Sequence, residues 1–443
     1  MCPVAEPLKE LFNNHVIQAL SAFATERKVR LYLVGGSVRD LLLKRQTTDV
    51  DFALASDAIQ FAKAFATRIG ATCIALEENP STARVIVKQH DIPQTPQLSM
   101  DFAQFRAASL TEDLNLRDLT INAMAIAFEN VGTVLNHTCE QNSSHVIDPC
   151  GGRKDLEVGL LQFPSEQVVL EDPVRLLRIY RFAAQLDFKI SQNAIHIVKK
   201  HRSLLSEVSA ERCRDELMKI LSVKKAHLYL QQMEVAGLLT QVVPNISKSW
   251  CPLATFEENP IPAALSTYHN EINTYLQEKL GMGVNRGALL KLSLLLADSR
   301  GDIGKRLRLS QKATQLIARL ISGGEQFKKA SPHLTHKQVI HFLRTYRLDW
   351  WGVLLYAAAS DSITATLLEQ IVNTYSKHVL PVRKKGKLIT GKDLIQTFQL
   401  KEGKQIGDLL KQIEERQFDG EIQTREEALA AVAALIQQSN GLL

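Results

Sequence analysis

Two aspartates two residues apart, Asp49 and Asp51 in TTDVDFAL, and two adjacent glycines, Gly35 and Gly36 in LYLVGGSVRDLLL, carry the clearest chemistry in this sequence. The aspartate segment reads as a strand, and alternation along a strand puts both carboxylates on the same face. Crowded like charges are costly unless a cation neutralises them. Hard oxygen ligands favour Mg²⁺, which keeps water and substrate phosphates as its remaining ligands. Two such ions would lower the pKa of an attacking hydroxyl and clamp a triphosphate while pyrophosphate leaves. The glycines follow an apolar strand and precede a helix within two residues. Their backbone lets a phosphate come close, and Arg39 supplies a forked cation one turn in. Each pattern alone also suits a plainer role, GG as a tight turn and DxD as a solvated strand end.

Three further segments carry polar residues at ordered spacing. LNLRDLTINAMA holds Arg117, Asp118 and Asn122, and VIDPCGGRKDLEVGLL holds Asp148, Gly151, Gly152 and Asp155. EDPVRLLRIYRFAAQL holds Asp172, Arg175 and Arg178, three residues apart, with Arg181 continuing the row. On a helix that spacing keeps the groups on one side. Asp172 before Pro173 also reads as a helix N-cap with proline at N1.

GG, then VRD, then DxD is the signature of the DNA polymerase β type nucleotidyltransferases. The ordered set closely resembles the class II tRNA nucleotidyltransferase and bacterial poly(A) polymerase family, within it the CC-adding enzymes. The resemblance implies that Asp49 and Asp51 hold the metal, that Arg117 contacts the incoming nucleotide, and that Asp118 and Asn122 shape the sugar pocket. Leu116 departs from the family, which has a second arginine there. The Asp172 segment corresponds to the family's nucleotide-selecting motif. Aspartate only accepts hydrogen bonds and arginine only donates, so such a pair can imitate the Watson–Crick edge of an absent template base. Asp148, Gly151, Gly152 and Asp155 read as the turn that joins the sheet to the following helices and are expected to act as a hinge. Asp101, on the strand before Arg106, is a candidate third metal carboxylate.

Only AASLTEDLNL separates Arg106 from Arg117. Relatives that add the terminal A carry a longer flexible segment here, thought to act as a lever that switches the base pocket from cytosine to adenine. Its shortness implies an enzyme that takes CTP and stops after two cytidines. The alternatives are a complete CCA-adding enzyme, then a poly(A) polymerase or a catalytically silent RNA-binding protein. The C-terminal stretch from LITGKDLIQTF to EEALAAV also resembles class II enzymes. Just before it, Arg383, Lys384, Lys385 and Lys387 form a basic run suited to RNA phosphates. The segment ALLKLSLLLADSRGDIGKRLRLSQKA lacks the His-Asp pair of the phosphohydrolase motif that some relatives carry there, so no hydrolase activity is expected.

The elements that must position these groups follow from hydrophobic periodicity. Leu8, Leu11, Phe12, Val16 and Leu20 have helical spacing within residues 1–30. Short apolar runs at 31–34, 50–54, 72–76, 84–88, 99–103 and 133–135 read as strands, alternating with helical patterns at 38–44 and 57–69. From Pro164 onward the pattern is helical, with a looser segment at 244–263. The expected fold class is α+β: a small mixed-sheet nucleotidyltransferase head at 1–150, followed by an all-α neck at 151–243, body at 244–380 and tail at 381–443.

Bulk properties are compatible with this reading and exclude others. The 443 residues suffice for several globular units, and an excess of 53 basic over 47 acidic residues gives a net +6 that helps hold a polyanion such as the tRNA acceptor arm. Six cysteines, Cys2, Cys73, Cys139, Cys150, Cys213 and Cys251, show no metal-ligand spacing and read as reduced thiols. No apolar run is long enough to span a bilayer, so no membrane partner and a cytoplasmic location are expected.

Overall fold

Seven strands form one sheet in the N-terminal part of the chain, as a computed structural model shows. The strands are β1 (Tyr32–Val34), β2 (Asp49–Leu54), β3 (Thr72–Glu78), β4 (Ser81–Val87), β5 (Leu98–Gln104), β6 (Ala125–Ala127) and β7 (Val146–Ile147). The structure describes residues 14–45, 49–87, 98–136, 145–243, 246, 249–281, 283–296, 303–328, 333–401, 403–418 and 420–440. Leu8, Leu11 and Phe12 of the expected first helix, with Cys2 and Cys139, lie outside them.

The strand order is β3-β4-β5-β2-β1-β6-β7. Only β2 and β5 run parallel, so the sheet is mixed. Alternation along the central strands separates core from chemistry. Val50 and Phe52 of β2, Ala83 and Val85 of β4, and Met100 and Phe102 of β5 are buried. Helices α1 (His15–Glu26) and α3 (Ala58–Ile69) pack on this apolar side, where Phe23, Phe52, Phe61, Phe65 and Phe102 form a ring cluster with centroids 5.3 to 6.4 Å apart. Asn14 starts α1 by accepting the Val16 N–H. Asp57 starts α3 by accepting from Ile59 and Gln60, and Gly70 ends it in a left-handed conformation. The intervening residues Asp49, Asp51, Arg84 and Asp101 fall on the opposite face.

The expected strand at 133–135 is instead part of helix α5 (Val131–Asn136). The place beside β1 is taken by β6, whose three residues are wholly buried and pair through Leu33↔Ile126. Val131 and Val134, one helical turn apart, bury themselves from the helix instead.

Beyond β7 come α6 (Gly152–Val158), α7 (Gln167–Glu171), α8 (Arg175–Leu186), α9 (Gln192–His201) and α10 (Ala210–Leu221). They are interrupted by a two-residue parallel pair, Leu160–Leu161 with Lys189–Ile190. The short helices α2 (Gly36–Leu42) and α4 (Leu110–Asn115) lie earlier in the chain.

The chain divides into two compact units, one of residues 1–223 with 228–242 and one of 224–227 with 243–443. Among the described residues the second unit is helical, with a core around the stacked Trp350 and Trp351, 3.7 Å apart, and Tyr375. The segment at 244–263, expected to be loose, contains the helix Cys251–Glu258 with proline in its first turn. Near the C-terminus Ile389, Leu394, Ile406, Leu409, Ile413 and Val432 close a small separate core. No helix among the described residues is long and apolar enough to cross a membrane.

Candidate active site

β1 leads directly into Gly35, whose φ of 64° is strained for residues with a side chain. A Cβ there would lie 3.1 Å from Nη1 of Arg117. The turn is tied down from both sides: the Gly35 N–H donates to the Met124 carbonyl at 3.3 Å, and the Arg39 N–H to the Gly35 carbonyl at 3.2 Å. Ser37, in the first turn of α2, accepts the Asp51 N–H at 2.8 Å, and its hydroxyl lies 3.4 Å from Asp51 Oδ2. One serine thus sets the distance between the glycine turn and the aspartate strand. Arg39 forks onto Asp40 through two bonds of 2.9 Å and donates to Asn122 Oδ1 at 2.8 Å.

Asp49 is exposed and Asp51 half-buried on the polar face of β2. In the parallel register Asp51 pairs with Asp101, and in the antiparallel register Asp101 pairs with Arg84. Burial, then the charge of Asp101, pushes the Asp51 carboxyl up to about 6, with Asp49 adding to the rise and Arg117 opposing it. Asp101 is occupied. Arg84 donates to both of its oxygens at 2.7 Å.

Among the described residues no group of three or more histidines, cysteines or acids is arranged around a metal position. Asp49 and Asp51 remain as two hard oxygen donors on the cavity wall, and the reluctance of Asp51 to ionise among its neighbours is what a divalent cation would relieve. The residues fit such an ion, with substrate and water completing its shell.

The connection from Arg106 to Arg117 is folded. Ser109 and Glu112 form a capping box that starts α4, and Leu114 buries against Val34, Ala53 and Ala125. Asp113, 2% exposed, accepts the Arg106 N–H at 3.0 Å and bonds from Arg117 Nε and Nη2 at 3.3 and 3.1 Å. Arg117 is therefore fixed by its own i−4 neighbour. Leu116, the helix C-cap, is half-buried.

The segment from Arg117 to Asn122 ends in a single 3₁₀ turn at Thr120–Asn122. Asp118 accepts from Asn122 at 3.1 Å, and from Arg178 Nε at 2.7 Å and Nη2 at 2.6 Å. Burial alone would raise the Asp118 carboxyl, but Arg178, Asn122 and Arg181 outweigh it and hold it at about 2. Thr120 donates to Asp155 at 2.6 Å. Gly152 lies so close that a Cβ there would meet the Thr120 carbonyl oxygen at 2.0 Å. The Asp148 carboxylate accepts the N–H groups of Gly152 and Arg153 at 2.8 and 2.9 Å and so begins α6. The turn is held by these hydrogen bonds and by that close approach.

Asp172 does not cap α8. Its backbone is extended at the end of α7, the first residue of α8 is Arg175, and the Asp172 carboxylate turns to Arg212 on α10 with bonds of 3.0 and 2.8 Å. Arg175, buried, donates to the Val168 carbonyl at 3.0 Å. Arg181 pairs with Glu216 at 3.1 Å and lies 4.1 Å from the centre of the Phe182 ring. Burial lowers the Arg181 guanidinium to about 10, which leaves it charged at neutral pH.

Thirteen of the residues singled out in the sequence line one cavity of about 730 Å³: Gly35, Gly36, Arg39, Asp49, Asp51, Asp101, Arg117, Asp118, Asn122, Asp172, Arg175, Arg178 and Arg181, whereas Asp148, Gly151, Gly152 and Asp155 are not part of its wall. The basic run lies in the second unit, where Lys384 and Lys387 are exposed and the side chains of Arg383 and Lys385 lie outside the described residues. Sequence reasoning missed Arg84, Asp113, Arg212 and Glu216. Asp113 and Arg117, and Arg212 and Glu216, are oppositely charged pairs four apart, a helical signal that was readable. Nothing in the sequence points Arg84 at Asp101.

A mixed sheet with paired glycines at a strand-to-helix turn and two carboxylates on the neighbouring strand defines the head of a nucleotidyltransferase. The Poly A polymerase head domain family matches residues 31–162, the RNA and SrmB-binding site of polymerase A residues 187–249, and tRNA nucleotidyltransferase domain 2 residues 293–433. The chain is 30% identical over 411 residues to the CC-adding tRNA nucleotidyltransferase of Synechocystis, covering 90% of this chain and 92% of that one. It is 29% identical to the Geobacter sulfurreducens protein of the same name, over 90% of both. The Thermotoga maritima CCA-adding enzyme complexed with tRNA shares the fold, with a TM-score of 0.63 at 23% identity over 94% of both chains. This chain belongs to the tRNA nucleotidyltransferase and poly(A) polymerase family, whose members generally use divalent metals.

Proposed function

We propose that this chain adds two cytidines from CTP to the 3′ end of tRNA in the cytoplasm, without a nucleic acid template. The observation that carries the two-cytidine limit is the ten-residue connection from Arg106 to Arg117. It is tied into the head by the capping box and by Asp113, rather than forming a long mobile segment. The relatives from Synechocystis and Geobacter sulfurreducens, with their CC-adding name, support the same reading.

In this reading residues 1–150 are the head, 151–243 the neck, 244–380 the body and 381–443 the tail, with Arg383, Lys384, Lys385 and Lys387 facing RNA phosphates. Asp49 and Asp51 hold the divalent metal, taken to be Mg²⁺, whose chemistry when bound is to acidify the 3′-hydroxyl and to screen the triphosphate. Gly35 and Gly36 let the triphosphate approach the backbone. Arg39 and Arg117, each braced by a neighbouring carboxylate, supply fixed positive charge to it. Asp118 and Asn122 form the sugar side of the pocket. Asp172 with Arg175 and Arg178 presents acceptors and donors to the base edge, and Arg181 continues that row. Because these groups are already bonded in place, orientation costs little when the nucleotide arrives.

The test is incubation of the protein with tRNA lacking its 3′ end and each nucleoside triphosphate singly and in pairs, with products resolved to one nucleotide. Two additions with CTP and none of ATP after CC are expected. ATP incorporation after CC would sink the two-cytidine limit and make the chain a complete CCA-adding enzyme. Asp49→Ala should lose transfer while keeping tRNA binding.

A further inference from the structure

We propose that Arg212 is a positioning residue that sets which base the site accepts by holding Asp172 in one orientation. This rests on the nucleotidyl-transfer reading above and deepens it. Asp172 sits between two helices, with φ of −145° and ψ of 90°, and its carboxylate does not cap the helix that follows. The orientation of that carboxylate is set from another element. Arg212 Nη1 donates to Oδ1 at 3.0 Å and Nη2 to Oδ2 at 2.8 Å.

The base of that fork is itself fixed. Ser209 caps α10 by accepting the Arg212 N–H, and one turn along the same helix Glu216 pairs with Arg181. Helix α10 thus answers the two ends of the row on α7 and α8 with the opposite charges, an arginine for Asp172 and a glutamate for Arg181.

The consequence is in the lone pairs. A carboxylate offers about four acceptor sites, and a forked arginine uses one on each oxygen. The remaining sites point in a fixed direction in the cavity that Asp172 lines. An acceptor held there rewards a base with an amino group at that edge, as in cytosine, and repels a carbonyl oxygen, as in uracil. Freed from the fork, the carboxylate rotates about χ2, whose torsional preference is broad, and discriminates less.

The experiment compares the full-length parent, Arg212→Gln and Arg212→Lys in kcat/KM for CTP and for UTP on tRNA lacking its 3′ end. Arg212→Gln is expected to lower the CTP-over-UTP ratio by roughly tenfold or more, mainly through KM, with Arg212→Lys between it and the parent. An unchanged ratio, with both nucleotides falling in parallel, would overturn the role and leave Arg212 a structural brace. Where Arg212→Gln melts below the assay temperature, Arg212→Lys supplies the ratio. Titration calorimetry with CTP and UTP reads the same preference without chemistry. A parent that transfers no nucleotide yet prefers CTP over UTP in binding, with the preference lost in the variants, would sink the activity and keep the role.

Discussion

Arg84 takes both oxygens of Asp101, its cross-strand partner, while Asp51 lies beside Asp101 on the other side in the parallel register. The three side chains form a row across three strands on one face of the sheet. A sheet makes such rows because directly opposed residues have their Cβ atoms about 5 Å apart. The arginine neutralises a carboxylate whose charge already makes Asp51 hard to ionise.

Removing that arginine therefore acts on Asp51. In Arg84→Gln the uncompensated Asp101 charge should lift the Asp51 carboxyl further above about 6. In metal-free buffer the Asp51 titration, followed by NMR, should move to higher pH. A titration that stays in place, or moves down, would show that Arg84 does not act through this row.

Asp51→Asn should separate activity from stability. The folded-state carboxyl is raised from 3.8 to about 6, so the folded state binds protons more tightly than the unfolded chain. Stability is then lost as pH rises from about 4 through about 6, by roughly 1–3 kcal/mol. In metal-free buffer the asparagine variant should melt above the parent at pH 7 and close to it at pH 4, while transferring no nucleotide. A variant less stable than the parent at pH 7 would contradict the repulsion.

Asp118 has the opposite sign. Held at about 2, it contributes stability that is present above about 4 and lost as pH falls toward 2. Asp118→Ala leaves the half-buried Arg178 without its carboxylate and should cost about 1–3 kcal/mol, as losing a charge-assisted hydrogen bond does. Denaturant unfolding at pH 7 measures it. CTP binding should weaken as well, since Arg178 then has no fixed direction.

At Gly152 there is no room for a side chain, because a Cβ would meet the Thr120 carbonyl oxygen at 2.0 Å. Gly152→Ala must push apart α6 and the turn that carries Asn122, at a cost of about 1–3 kcal/mol or more. Thermal melting should fall together with CTP affinity. Loss of affinity without loss of stability would mean the joint moves freely.

Much of the site was legible because its residues come in short runs. Gly35 with Gly36, Asp49 with Asp51, and Asp172 through Arg181 each lie within one strand, turn or helix region, where period 2 or 3.6 decides the shared face. Less legible were residues whose meaning lies in a partner far along the chain. Arg84, which belongs to Asp101, and Arg212, which belongs to Asp172 forty positions away, look like ordinary surface charges in sequence. The α5 segment failed for a related reason. The run at 133–135 has strand-like composition, but only the assembled sheet reveals that β6 already occupies the place beside β1.

The sequence by itself determined the class of chemistry, since the glycine turn and the paired carboxylates lie in short runs whose local backbone geometry sets their shared face. It also determined the short connection before Arg117, because chain length is a sequence property. Tertiary structure decided how the charges are partnered: Asp101 closed off by Arg84, Asp118 ionised against Arg178, and Asp172 aimed by Arg212 rather than spent on a helix cap. Side-chain direction and ionisation depend on burial and on charges within a few ångströms, and those distances exist only once the strands and helices have met.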